Sequence, residues 1–212
     1  MRVAITAVCA LFLLMLCVPQ AHADDCTSGS NLVANCGFET GDFTGWTVSG
    51  NDVPGEEGNL YGVEGDDPFP LPGGTAPNSG DFQAFIADLD ANPTTLSQDL
   101  ATDPGGLYMV SFYMAQELVG PGDVNSSFIV TFGGSTVVNL TNIDVQGYTL
   151  YTGLFTATGT STALDITGGN DIGEFLVDDV SVKGVPEPSS LSLMLLGIAM
   201  LGFSLKKSRL CR

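Results

Sequence analysis

Between residues 24 and 184 the chain never sustains a long helical hydrophobic period; it is cut into short runs of Val, Ile, Phe, Tyr and Thr by Gly, Asn, Asp, Ser and Pro. Runs of that length and composition, bounded by turn residues, are β-strands. The spacing predicts strands at Asn31–Ala34, Gly45–Val48, Phe82–Ala87, Thr95–Leu100, Leu107–Met114, Ser127–Phe132, Ser135–Leu140, Tyr148–Thr158, Thr162–Thr167 and Glu174–Val182. Tyr108, Val110, Phe112 and Met114 alternate with Leu107, Met109, Ser111 and Tyr113, the period of two that a sheet with distinct faces requires. Phe132-Gly133-Gly134-Ser135 reads as a tight hairpin, because glycine accepts the positive φ of a two-residue turn. Many short strands at this spacing predict an all-β sandwich or barrel. Residues 51–80 break the rhythm with five prolines and repeated glycines, and predict a long surface loop holding one strand at Asn59–Val63.

Both ends are hydrophobic and lie outside this pattern. Arg2, an apolar stretch from Val3 to Val18 and the Ala21-His22-Ala23 site form a secretory signal peptide over residues 1–23. At the other end Val185-Pro186-Glu187-Pro188-Ser189-Ser190 precedes an uncharged run from Leu191 to Leu205 and a basic tail, residues 206–212. As a helix that run would span about 22 Å, against a hydrocarbon core of about 30 Å. The basic residues after it favour a cytoplasmic C-terminus. Pro186 and Pro188 hold Glu187 in an extended segment that an enzyme could grip. In order and spacing, residues 185–212 resemble the PEP-CTERM sorting signal of Gram-negative bacteria, with Val185, Pro186, Glu187 and Pro188 as the motif. The resemblance implies a transient inner-membrane anchor, processing by a membrane-embedded exosortase, and delivery to the cell surface or extracellular polymer.

The predicted ectodomain, residues 24–184, holds 23 acidic residues and one base, Lys183, a formal charge of −22. Such a surface repels phosphate backbones, so a nucleic-acid partner is excluded, and it attracts divalent cations. Its two cysteines, Cys26 and Cys36, have no histidine beside them and meet an oxidising compartment, which predicts a disulfide. His22, the only histidine, leaves with the signal peptide. The mature chain therefore has no Ser-His-Asp triad, Cys-His pair or His-ligated zinc. Carboxylate chemistry alone remains for catalysis, and no catalytic residue is assigned.

Asn31-Leu32-Val33-Ala34-Asn35-Cys36-Gly37-Phe38-Glu39-Thr40-Gly41 followed by Gly45-Trp46 resembles the opening of galactose-binding-like jelly rolls, a group that includes carbohydrate-binding modules. Thr95-Leu96-Ser97-Gln98, Gly106-Leu107-Tyr108 and Phe175-Leu176-Val177-Asp178-Asp179-Val180-Ser181-Val182 resemble their middle and closing strands. The resemblance implies a jelly-roll β-sandwich and a structural Ca2+ joining the first and last strands, with Glu39, Asp178 and backbone oxygen near Gly41 as ligands. Strand alternation chooses Asp178 over Asp179, because it places Asp178 on one face with Leu176, Val180 and Val182. Aromatic rings stack on sugars, and Trp46, Tyr61 and Phe69, near turns or in the long loop, are the candidate carbohydrate-binding residues; Trp46 also fits a core position. The expected function is a secreted, non-catalytic component of the surface or exopolysaccharide matrix. The alternatives are a carbohydrate-binding module with a specific glycan and a glycoside-active enzyme using paired carboxylates.

Overall fold

The structure is a computed structural model that describes residues 26, 29–50, 61–65, 75–87, 93–118, 125–170 and 173–186. Ten strands form along the chain: β1 (Thr47–Ser49), β2 (Tyr61–Gly65), β3 (Phe82–Ile86), β4 (Thr94–Ala101), β5 (Leu107–Leu118), β6 (Ser126–Phe132), β7 (Ser135–Thr141), β8 (Gln146–Thr156), β9 (Ser161–Asn170) and β10 (Gly173–Gly184). They build two antiparallel five-stranded sheets, ordered β1-β4-β9-β6-β7 and β2-β3-β10-β5-β8, with no helix among the described residues. This is an all-β jelly-roll sandwich.

Alternation explains the core. Leu96, Leu100, Phe128, Val130, Phe132, Leu164 and Ile166 point inward from one sheet, and Ile86, Val110, Phe112, Met114, Phe175 and Val177 from the other. Burying each such side chain contributes roughly 1.5–3 kcal/mol. The β6–β7 hairpin turns through Gly133 and Gly134, at φ 57° and 77°, as the double glycine predicts.

Several strands differ from their predicted extents. The predicted first strand, Asn31–Ala34, is an irregular segment that meets β10 through one β-bridge, Asn31 to Lys183, and through hydrogen bonds from Leu32 N–H to Val182 O, from Asn31 Nδ2 to Val180 O and from Val182 N–H to Asn31 Oδ1. The predicted strand at Gly45–Val48 starts later, as Gly45 takes φ 89° and Phe43 O receives the Trp46 N–H. β5 and β9 run longer than predicted because their polar ends still find partners: Glu117 pairs with Glu174, and Asn170 with Ser126.

The larger correction lies in β10. The pairing of β10 with β5 shifts between Asp178 and Ser181. Before the shift Phe175 and Val177 face the core while Leu176 and Asp178 face outward; after it Val180 and Val182 face the core. Asp178 therefore does not share a face with Val180 and Val182. Asp179 occupies the irregularity with φ 52°.

Candidate functional site

The outer face of the β2-β3-β10-β5-β8 sheet carries an unusual residue set. Register places Gly62 and Glu64 of β2, Gln83 and Phe85 of β3, Glu174, Leu176 and Asp178 of β10, Tyr113, Ala115 and Glu117 of β5, and Leu150 of β8 on this one side. Its floor is closed. Gln83, Ala115, Leu176 and Asp178 are all buried although none belongs to the core between the sheets.

A hydrogen-bond chain fixes the floor. The Tyr148 hydroxyl donates to Gln83 Oε1 at 2.5 Å. Gln83 Nε2 donates to Glu64 Oε1 and to the Thr75 carbonyl oxygen, both at 2.9 Å. Tyr148 meets Tyr113 edge-on, with ring centroids 6.5 Å apart. The Phe85 ring lies over Gly62 so closely that a side chain there would collide with it. Phe85, Tyr113 and Tyr148 are each half-buried, which leaves part of each ring in contact with solvent.

Carboxylates edge this aromatic surface. Glu117 and Glu174 stand directly opposite each other across β5 and β10. Burial pushes the Glu174 carboxyl up to about 7, with the charges of Glu64 and Glu117 adding to it. Burial and the charges of Asp178 and Glu64 also push the Tyr148 phenol well above its usual range. The face can therefore offer apolar ring surface, amide and hydroxyl groups, and carboxylates that accept hydrogen bonds.

A second acidic group sits where the chain's first and last segments meet. Asp178 Oδ2 accepts the Ser79 N–H at 3.0 Å and Oδ1 accepts the Asp179 N–H at 2.7 Å. Asp179 accepts from Asn78 Nδ2 and Ser79 Oγ, both at 2.7 Å. Glu39 accepts the backbone N–H groups of Asp81 and Phe82. Asp178 Oδ1 and Glu39 Cγ both flank Gly37, 3.4 and 3.7 Å from where its Cβ would lie. Burial pushes the Asp178 carboxyl up to about 7; Asp179 and Glu39 add to the shift while the Ser79 and Asp179 N–H groups oppose it. The structure thus places Glu39 and Asp178 on neighbouring sides of Gly37, with Asp179 beside them. Gly41, by contrast, lies against the Phe82 ring. Among the described residues no three His, Cys, Asp or Glu side chains form a ready metal cage. A bound ion would need backbone oxygens to complete its shell.

Cys26 and Cys36 form a disulfide with Cα atoms 5.7 Å apart. Trp46 is a correction to the predicted sugar-binding set: it is buried, stacks on Phe38 at 5.6 Å, and donates from Nε1 to the Asn35 carbonyl oxygen. Tyr61 is half-buried on the core side of β2, opposite Ile86 and 6.1 Å from the Phe43 ring. Phe69 lies outside the described residues, as do the signal peptide, Glu187, Pro188, the apolar run and the basic tail. Sequence reading missed Phe85, Tyr113 and Tyr148 because they sit in strands, where a ring is usually core. The available signal was their phase, opposite to that of Ala84, Met114 and Tyr151.

Comparison with known proteins agrees with both parts of the chain. The family profile described as the PEP-CTERM protein-sorting motif matches residues 184–209. The chain therefore carries a sorting tail of the exosortase-processed kind, which implies export and membrane anchoring before processing. No curated protein matches the chain significantly. Among solved structures it is similar to the carbohydrate-binding module TmCBM61, determined in complex with β-1,4-galactotriose: 21% identity over 73% of this chain and 99% of that one, TM-score 0.53. It is also similar to the K1 cleaved adhesin domain of Lys-gingipain from Porphyromonas gingivalis W83, at 14% identity over 70% of this chain and 96% of that one, TM-score 0.50. The enzymatically active domain of tailspike protein 4 from bacteriophage CBA120 aligns at 14% identity over 74% of this chain but 22% of its own length, TM-score 0.50. At these identities the likeness is one of fold.

Proposed function

We propose that the protein is a non-catalytic glycan-binding component of the cell surface or extracellular matrix, released from its membrane anchor by exosortase. The observation that carries this reading is the outer sheet face, where Phe85, Tyr113 and Tyr148 surround a hydrogen-bonded Gln83 and are edged by Glu64, Glu117 and Glu174. Rings stack on the apolar faces of sugars, and amides and carboxylates bond their hydroxyls. The Tyr148–Gln83–Glu64 chain holds these groups in place before a ligand arrives, which limits the entropy lost on binding.

The test is a glycan array followed by titration of the best neutral polysaccharide. Tyr148→Ala and Tyr113→Ala should each lower affinity at least tenfold, a loss of about 1.4 kcal/mol. Leu154→Ala, at an exposed β8 position, should bind as the native protein does. Equal affinity in all four proteins, or no glycan bound by any, refutes the reading.

The Glu117–Glu174 pair favours a second reading, glycoside hydrolysis. Side chains directly opposite across antiparallel strands lie close enough for two carboxyls to act on one bond, and a raised Glu174 suits a general acid. A hydrolysis screen decides it: activity lost in Glu174→Gln would support this reading over the first.

We also propose that Ca2+ binds between the Glu39 and Asp178 carboxylates, beside the 79–82 segment that both contact, with Asp179 adding to the acidic wall. What supports the reading is the clustering of charge: Asp178 is buried, and its charged form is disfavoured by that burial and by the neighbouring charges of Asp179 and Glu39, which a hard cation would offset.

A further inference from the structure

The sorting tail begins inside the folded domain. Gly184, the first residue matched to the sorting family, is paired with Tyr108 in the sheet. Val185, the first motif residue, donates its N–H to the Leu107 carbonyl oxygen at 2.7 Å. No spacer separates the last sheet residue from the motif.

The surface beside this exit is built firmly. Asp103, Pro104, Gly105 and Gly106 form a β-turn closed by the Gly106 N–H on the Asp103 carbonyl oxygen, with Gly105 at φ 83°. The Gly105 N–H bonds Ala157 O, and Tyr108 OH accepts the Asp103 N–H at 2.8 Å. The turn, Leu107, Tyr108, Gly184 and Val185 line one open cleft. Asp103 and Pro104 are exposed, and a side chain at Gly105 would meet only open space.

An extended chain spans at most about 3.6 Å per residue, so Pro188 lies no more than about 11 Å from Val185. Any enzyme that grips Pro186, Glu187 and Pro188 while Val185 stays paired works within about 11 Å of Val185, which itself lines the cleft with the Asp103–Gly106 turn. Given the processing reading on which this rests, we infer that the cleft is a docking surface for the membrane-embedded processing enzyme. The enzyme reads the motif together with the end of the folded sandwich, not as a free peptide.

The experiment uses the full-length chain in membranes containing the exosortase and follows precursor and product by gel mobility. Asp103→Arg and Leu107→Arg are each made in the native chain and in a chain with eight Gly-Ser residues inserted between Gly184 and Val185. Thermal melting of each ectodomain reports folding, so a defect in one variant leaves the other as the test. In the native chain both substitutions should slow processing at least fivefold. In the spacer chain, which uncouples motif from cleft, they should leave the rate unchanged relative to their own parent. Native-rate processing of the folded variants overturns the inference, as does an equal slowing with the spacer present. A native chain that is never processed refutes the processing reading itself.

Discussion

Between about pH 4.5 and 7, Glu174 binds a proton in the folded state that it releases on unfolding. Its carboxyl is raised to about 7 by burial and by the charges of Glu64 and Glu117. A raised acid favours the fold while protonated, so this contribution is present at low pH and is lost as pH climbs from about 4.5 through 7. The melting temperature of the native protein should fall across that window, and Glu174→Gln should flatten the decline; an identical profile in the variant would show that the carboxyl titrates normally. Such a residue could not be found by reading the chain, because its perturbation comes first from burial in the folded sheet and then from Glu64 and Glu117, 110 and 57 positions away. Trp46 shows the same difficulty in reverse. A tryptophan after Gly45 fits either a sugar contact or a core position, and only the folded neighbours Phe38 and Asn35, which enclose it in the core, decide between them. Cys26 and Cys36 were legible, because their pairing needed only compartment and number.

The break in β10 is the element that sequence patterning could not resolve. Strict alternation carries Asp178 to the same face as Val180, but one irregularity resets the phase and turns both aspartates into partners of the 78–79 segment. Irregularities of this kind bend a strand and re-aim its side chains. Asp179 pays for its left-handed backbone with two side-chain hydrogen bonds, from Asn78 and Ser79. Asp179→Ala would keep the strain and strand both donors, and should cost roughly 2–4 kcal/mol in denaturant unfolding. Asp179→Asn tolerates the same φ and should cost less. Equal stability of the alanine variant would mean that the irregularity is not held by these bonds. By contrast, the Gly133–Gly134 hairpin and the inward phase of β5 were legible, since both follow from local residues alone.

At the scale of the molecule, the domain folds with 23 carboxylates against one lysine. A cation held by Glu39 and Asp178 would bind the folded state only, stabilising it by about 2.7 kcal/mol at a hundredfold excess over Kd. Chelator should lower the melting temperature, and calcium should restore it better than magnesium, which demands a tighter octahedral shell. Screening by sodium chloride is the competing effect. The double variant Glu39→Gln, Asp178→Asn should lose the calcium response and keep the salt response; a retained calcium shift would reject these ligands. The two-sheet architecture was legible from strand rhythm and resemblance, whereas the glycan face depends on pairings between strands far apart in sequence. The path of the final strand has a mechanical consequence. While the tail is anchored, any drag on the domain enters at Val185 and runs along β10, which is hydrogen-bonded to β3 on one side and β5 on the other. Bonds perpendicular to an antiparallel strand are strained all at once by a pull along it, so the tether loads the sheet in shear. Tension on the edge strand β8 would instead open its bonds one after another, like a zip.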